Sequence, residues 1–306
     1  MNFIETFIEY FIGYQMVPKA LIVGILVAFC SSLLGVTLVL KRFSFIGDGL
    51  SHVAFGATSI AMSIAMAKHG IKFLPEGISK FLIDTMNYSK MIFVLPVTII
   101  CAIILLKSGK KSKLSGDAQI ALVSVASLAF GYLIIQVFGN STNVSADVCT
   151  TLFGSTSILT LSNSDVIFCV ILSIIVIIVF ILFYNKIFAI TFDENFSRGI
   201  GVDVDFYNFV IALIIAVIIV LAMNLVGSLL ISALVIFPAI SAMQVCKSFK
   251  AVTICACIYS IITTFIGLAL AIVLSTPPIG STIVLVELIT FIIFYIIGKI
   301  KGGIFV

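Results

Sequence analysis

Apolar runs of about 20 residues recur along this chain from end to end, and nothing else constrains its fold as strongly. A helix of that length crosses the roughly 30 Å hydrocarbon core of a bilayer. A soluble protein of 306 residues could bury a large core, but it would still need a charged surface. Here 62% of residues are hydrophobic and only 10% charged, with a mean hydropathy of +1.34, so that surface is missing. The sequence therefore reads as an all-α polytopic membrane protein, one transmembrane domain over residues 1–306. The net charge of +4 is no nucleic-acid signal, because the lysines and arginines sit between spans rather than in a patch.

Eight to nine spans are expected. They fall at about 20–40, 46–67, 91–107, 118–138, 165–185, 206–224, 227–245, 251–274 and 282–298. The pair at 206–245 is the ambiguous one. Asn224, Gly227 and Ser228 mark a tight turn and Pro238 should kink or break the returning span, so a broken helix with a re-entrant piece is the alternative there. Orientation follows the basic residues. With the N-terminus outside, Lys41, Arg42, Lys107, Lys110, Lys111, Lys113, Lys186, Arg198, Lys247, Lys250, Lys299 and Lys301 are inside. Only Lys19, Lys68, Lys72, Lys80 and Lys90 are outside. Twelve against five favours an outer N-terminus and a cytoplasmic C-terminus in the cell membrane. The segment Phe3–Phe11 looks amphipathic and suits the outer interface, while the outer loops 68–90 and 139–164 are polar or interrupted by Pro75 and Gly77.

Several chemistries are absent. The seven cysteines are scattered, mostly inside apolar spans, and Cys255 and Cys257 have no partner cluster at zinc spacing. Glu5 and Glu9 stand where a secretory signal would carry basic residues. Gly109-Lys110-Lys111-Ser112 lacks the upstream glycine of a phosphate-binding loop, and with two histidines and no H-E-x-x-H an intramembrane zinc protease is poorly supported. Any nucleotide hydrolysis must come from another chain.

The informative short run is Ile46-Gly47-Asp48-Gly49-Leu50-Ser51-His52. Asp48 and His52, four apart at the start of a span, share one helix face. A carboxylate beside an imidazole suits a divalent transition-metal ion, and an ionisable group inside a span is functional by default. The plainer reading has Asp48 capping the helix and His52 bonding to a neighbouring helix. Spacing alone leaves the two readings level.

Four runs in register resemble the permease subunits of the zinc/manganese/iron ABC transporters. Lys41 to His52 is similar to that family's basic-residue-then-G-D-A-L-S-H signature. Phe192-Asp193-Glu194-Asn195-Phe196-Ser197-Arg198-Gly199-Ile200-Gly201 resembles its F-D-x-E-x-A-x-x-x-G segment. Val226 to Ala239 resembles V-G-x-L-L-V-x-A-L-L-x-x-P-A, and Pro277 to Val284 also fits. Departures are Gly49 for alanine, Gly56 for proline, Ser197 for alanine, and Glu287 at a normally apolar position.

The resemblance implies a permease that pairs with a second copy of itself, binds cytoplasmic ABC ATPase subunits and receives metal from an extracellular solute-binding protein. It implies no catalytic residues and no permanent cofactor: zinc, manganese or iron is the cargo, and ATP is used by the partner. Asp48 and His52 become metal ligands. Phe192, Asp193, Glu194, Arg198, Gly199 and Gly201, within a cytoplasmic segment 192–205, become the ATPase-coupling element; solvated loop charges or helix caps are the alternative for Asp193 and Glu194. Glu287, about four residues into the last span, is expected to face protein or a water-filled path rather than lipid, against the alternatives of snorkelling or bonding to a neighbouring helix. Competing functions are an ABC importer of metal chelates, which needs a wide vestibule instead of ion ligands, and an ATP-independent channel or secondary transporter with Asp48 as its ion site.

Overall fold

The helices begin and end where the apolar runs do. The computed structural model describes residues 10–11, 13–14, 16–41, 43, 45–66, 90–108, 116–138, 163–274 and 278–300. Among these the ordered elements are helices: α1 Met16–Leu40, α2 Ile46–Met66, α3 Lys90–Ser108, α4 Gly116–Phe138, α5 Asn163–Phe192, the short α6 Glu194–Gly199, α7 Val204–Val226, α8 Ser228–Val245, α9 Phe249–Leu274 and α10 Ile279–Ile300. Each expected span coincides with one long helix. The N-terminal amphipathic stretch before residue 10, and most of the loops 68–90 and 139–164, lie outside the described residues.

Among the described residues, four helical segments are long and apolar enough to cross a membrane: Met16–Leu40, Val166–Phe192, Phe249–Leu274 and Ile279–Ile300. Shorter apolar segments run Val94–Leu105, Ala118–Ile134, Val204–Val220 and Leu230–Val245. Helix α5 overruns its expected end at 185 by two turns. Residues Ile187, Ile190 and Thr191 are buried there, and Phe188 and Phe192 pack on Phe249 at 5.2 and 6.1 Å between ring centroids.

Two packed groups meet at α7. Helix α2 lies along α4 and also packs on α3, while α8, α9 and α10 pack on one another and α1 packs on α8 and α9. Helix α7 touches both groups. It is apolar all round, with Ile211, Ile214, Ile215 and Ile219 fully enclosed, as a central helix must be. The outer faces of α4, α5, α9 and α10 expose large aliphatic side chains, among them Leu122, Ile171, Ile258 and Ile289, as a lipid solvent requires.

Small residues set the close crossings. Gly56 of α2 and Gly131 of α4 meet backbone to backbone: a Cβ on Gly131 would stand 3.0 Å from Gly56 Cα. At the position where the resembling family has proline, the glycine thus provides close approach and α2 continues unbroken through it. Pro238 likewise sits inside an uninterrupted α8, and the break lies at Gly227, whose φ of 93° only glycine adopts freely. The pair at 206–245 is therefore two helices joined through a single non-helical residue.

Buried hydroxyls mostly return to their own helix, as in Ser59 to Phe55 O at 2.8 Å and Thr98 to Val94 O at 2.7 Å. Between helices, Ser260 Oγ donates to Ala28 O at 3.0 Å, and Tyr259 OH donates to Glu287 O at 2.6 Å.

The turns that carry basic residues gather at one end of the bundle. Lys41 closes α1, and its Nζ reaches Glu194 of α6 at 3.2 Å. The α8–α9 turn brings Phe249 onto Tyr184, Phe188 and Phe192. The last turns of α10 abut α8, where Gly298 faces Gln244, and the first residue of α4, Gly116, faces Phe43. Lys41, Arg198, Lys247, Lys250 and Lys299 consequently share that end.

Candidate functional site

Helix α2 starts at this basic end, and Asp48 occupies its first turn, where a carboxylate is favoured by the helix dipole. Asp48 lies about 3 Å and His52 about 9 Å along the axis from the helix start. Ser51 Oγ donates to Asp48 O at 2.7 Å, so its hydroxyl turns back on the helix. The acid and the imidazole meet on one face, Asp48 Oδ1 standing 3.5 Å from His52 Nε2. The Asp48 side chain is 47% exposed and that of His52 19%. His52 Nδ1 is buried and has no hydrogen-bond partner among the described residues.

With metal–ligand bonds of about 2.1 Å, two donors 3.5 Å apart subtend about 113° at a shared ion, close to a tetrahedral edge. The separation is one that two ligands of a single transition-metal ion can span. No third His, Cys, Asp or Glu among the described residues joins the pair, and the chain's other histidine, His69, lies outside them. A groove of about 300 Å³ opens between α2, α3 and α4, lined by Val53, Ala57, Val97 and Phe130 together with Cys101 and Ser127. Neither Asp48 nor His52 lines it.

The second constellation is α6. Asp193 is its N-cap, with extended φ and ψ of −148° and 102°, and its carboxylate accepts from Phe196 N at 2.9 Å. Ser197 is buried and donates to Asp193 O at 2.8 Å. Glu194 turns inward onto Lys41. Arg198 pairs with Asp205 at 2.8 Å on the surface. The chain leaves the helix through Gly199, which nothing crowds, and Gly201, whose φ is +82°. What faces outward is apolar: Phe192 at the end of α5, Phe196 on α6 and Ile200 just past it are each about 60% exposed and give the segment an apolar ridge. Sequence reasoning concentrated on the charges of this segment and missed the ridge. It read Lys41 as an inner-loop charge at the head of the signature run and passed over Asn208.

Glu287 is fully buried, and neither carboxyl oxygen has a hydrogen-bond partner among the described residues. Helix α10 begins at Ile279 because Pro278 O accepts from Thr282 N and from the Ser281 and Thr282 hydroxyls. Glu287 is therefore about 12 Å into the helix, twice the depth expected from the sequence. Its helix packs on α8 and α9.

A bundle of apolar helices, one of its inner helices headed by an acid–imidazole pair, defines a multi-pass membrane protein. Residues 13–298 match the ABC 3 transport family, and the chain belongs to it, as a metal ABC transporter permease. It is 26% identical to the manganese transport system membrane protein MntC of Listeria monocytogenes over 98% of this chain and 96% of that protein. It is 25% identical to a probable iron transport system membrane protein of Haemophilus influenzae, over 95% and 93%. Among solved structures, PsaBC of Streptococcus pneumoniae in complex with a Fab shares the fold, with a TM-score of 0.78 at 23% identity over 98% of this chain and 100% of that one. The chain is a transport subunit and not an enzyme.

Proposed function

We propose that this chain is the permease of an ATP-driven importer of divalent transition-metal ions, manganese, iron or zinc, with Asp48 and His52 as ligands along the path. The observation that carries the reading is the 3.5 Å acid–imidazole pair on a partly open face of α2, in a family whose relatives include manganese and iron transport proteins. Two side-chain donors are too few for such an ion. Backbone oxygens, water or other side chains complete the shell. The basic end is the cytoplasmic one under the positive-inside rule, which puts the N-terminus outside the plasma membrane and the C-terminus inside. On that side the ridge of Phe192, Phe196 and Ile200, with Asp193 and Arg198 ordering it, docks a separate ATPase. Metal arrives from an extracellular binding protein. Glu287 is an acid that guides the cation only in a state where α10 borders the path.

The test is metal uptake in cells carrying Asp48→Asn or His52→Ala, with the folded protein quantified in the membrane. Both variants should abolish uptake of the metal ion at normal expression. Near-normal uptake in both overturns the ligand assignment, and a chelate importer would tolerate both changes. Retained uptake without an intact ATPase would instead identify a channel or secondary transporter.

A further inference from the structure

The Lys41 side chain is only 7% exposed although it lies at an end of the bundle. Its ammonium stands 3.2 Å from Glu194 Oε1 and donates to Asn208 Oδ1 at 2.7 Å. Asn208 Nδ2 donates in turn to the same Glu194 oxygen at 3.3 Å. Three side chains from the end of α1, from α6 and from the first turns of α7 thereby close a triangle. A charge this far removed from water persists only with such partners, and loss of one leaves the others uncompensated.

The triangle is tied to the metal-binding pair through a short stretch of backbone. Lys41 N donates to Thr37 O, Phe43 N to Leu38 O, Ile46 N to Phe43 O and Gly49 N to Phe45 O. Backbone hydrogen bonds thus tie Lys41, Phe43, Ile46 and Gly49 across the α1–α2 connection, and Asp48 follows Lys41 by seven residues. A displacement of α6 relative to α1 must either pull this connection and the head of α2 with it or break the triangle. Salt-bridge and hydrogen-bond networks are one of the physical carriers of coupling between distant sites.

We propose that Lys41, Glu194 and Asn208 form the clasp through which movement of α6 reaches Asp48 and His52, with Lys41 as the positioning residue; this rests on the reading of α6 as the ATPase dock. Residues of the exposed ridge hold the ATPase, whereas the clasp converts its motion into a change at the metal site. Losing the clasp therefore separates hydrolysis from transport without releasing the ATPase.

The experiment uses the complete transporter in proteoliposomes, with manganese as the probe and ATP hydrolysis measured in parallel. Lys41→Met and Asn208→Leu should keep ATPase occupancy and hydrolysis within about twofold while manganese imported per ATP falls tenfold or more. Lys41→Arg, which can still bond both partners, should retain at least a third of the wild-type ratio. A wild-type ratio in Lys41→Met and Asn208→Leu overturns the proposal, and so does a loss that merely tracks ATPase occupancy or melting temperature. Phe196→Ala tests the dock separately: if the ATPase stays bound in that variant, the docking reading fails while the clasp result stands alone. Should the clasp variants fail to fold, spin labels at the exposed Phe45 and Asn195 in a chain with the clasp intact supply the decision. Their separation should stay within about 2 Å between nucleotide-free and nucleotide-trapped states, and a larger shift shows that α6 and the α2 head move independently.

Discussion

Replacing Gly267 with alanine isolates how tightly α9 is held on α10. A Cβ built at this glycine falls 2.7 Å from Ile283 Cα, 2.8 Å from its Cγ1 and 3.1 Å from its Cβ. Carbon atoms rest at about 3.5–4.0 Å, so the helices must part by on the order of 1 Å. Two of the three obstructing atoms are Ile283 Cα and Cβ, so no rotamer change relieves the clash. Opposing the clash is the intrinsic preference of a helix interior for alanine over glycine, about 1 kcal/mol. Overpacking of this kind costs about 1–3 kcal/mol, and parting the helices also weakens neighbouring contacts, including the 2.6 Å bond from Tyr259 to Glu287 O. The net expectation is destabilisation by about 1–2 kcal/mol, or a melting temperature lower by roughly 2–6 °C. Gly47→Ala is the matched control, since its Cβ meets only Ser232 Cα at 3.9 Å and should gain up to about 1 kcal/mol. The assay is thermal unfolding of the purified protein in detergent, with denaturant titration as a check. If Gly267→Ala is as stable as Gly47→Ala, the α9–α10 interface is looser than the geometry implies and the argument is refuted.

Other perturbations are smaller. Ser260→Ala removes the α9-to-α1 hydrogen bond to Ala28 O and should cost about 0.6–1.7 kcal/mol in denaturant titration, the range for such bonds between membrane helices. Asp193→Ala should lower ATPase occupancy by loosening α6, whose cap is worth about 1 kcal/mol, while Asp193→Asn should restore it. Arg198→Ala removes an exposed ion pair with Asp205 and should leave the melting temperature unchanged, the pair being worth less than about 1 kcal/mol. Glu287→Ala opens a cavity but also removes a buried carboxyl without a hydrogen-bond partner among the described residues, so the two effects offset and the net change should stay under about 2 kcal/mol. Glu287→Gln keeps the volume, and slower uptake at low metal concentration in that variant is expected if the acid guides cations.

The fold was legible where one principle acted alone. Apolar runs near 20 residues fixed the position of every long helix, because the need to satisfy backbone groups in lipid overrides local propensity. Misjudged ends have tertiary causes. Helix α5 continues to Phe192 because Phe249, more than fifty residues later, supplies a ring surface for its last turns. The depth of Glu287 changed because hydroxyls of Ser281 and Thr282 extend α10 back to Pro278. The turn expected at Asn224, Gly227 and Ser228 falls at Gly227, where φ is positive, while Pro238, expected to kink or break the returning span, sits inside a continuous α8.

The site was legible in part, for a related reason. A four-residue spacing on one helix suffices to place Asp48 beside His52, and the structure brings them to 3.5 Å. The partner of a charge on another helix has no such local sign. Lys41 and Glu194 are 153 residues apart, and Lys41 and Asn208 are 167 apart. In sequence each looks like an ordinary polar residue at a helix end. Only the packing of α1 against α5 and α7 brings them together, and only burial distinguishes Lys41 from the exposed Lys247 and Lys250 at the same end. The acids at the start of α6 changed meaning in the same way. Asp193 orders the helix and Glu194 anchors it inward, so a partner on this surface meets the ridge of Phe192, Phe196 and Ile200 first. Hydrophobic contact then supplies the docking energy, and the buried charges beneath it hold the element in place.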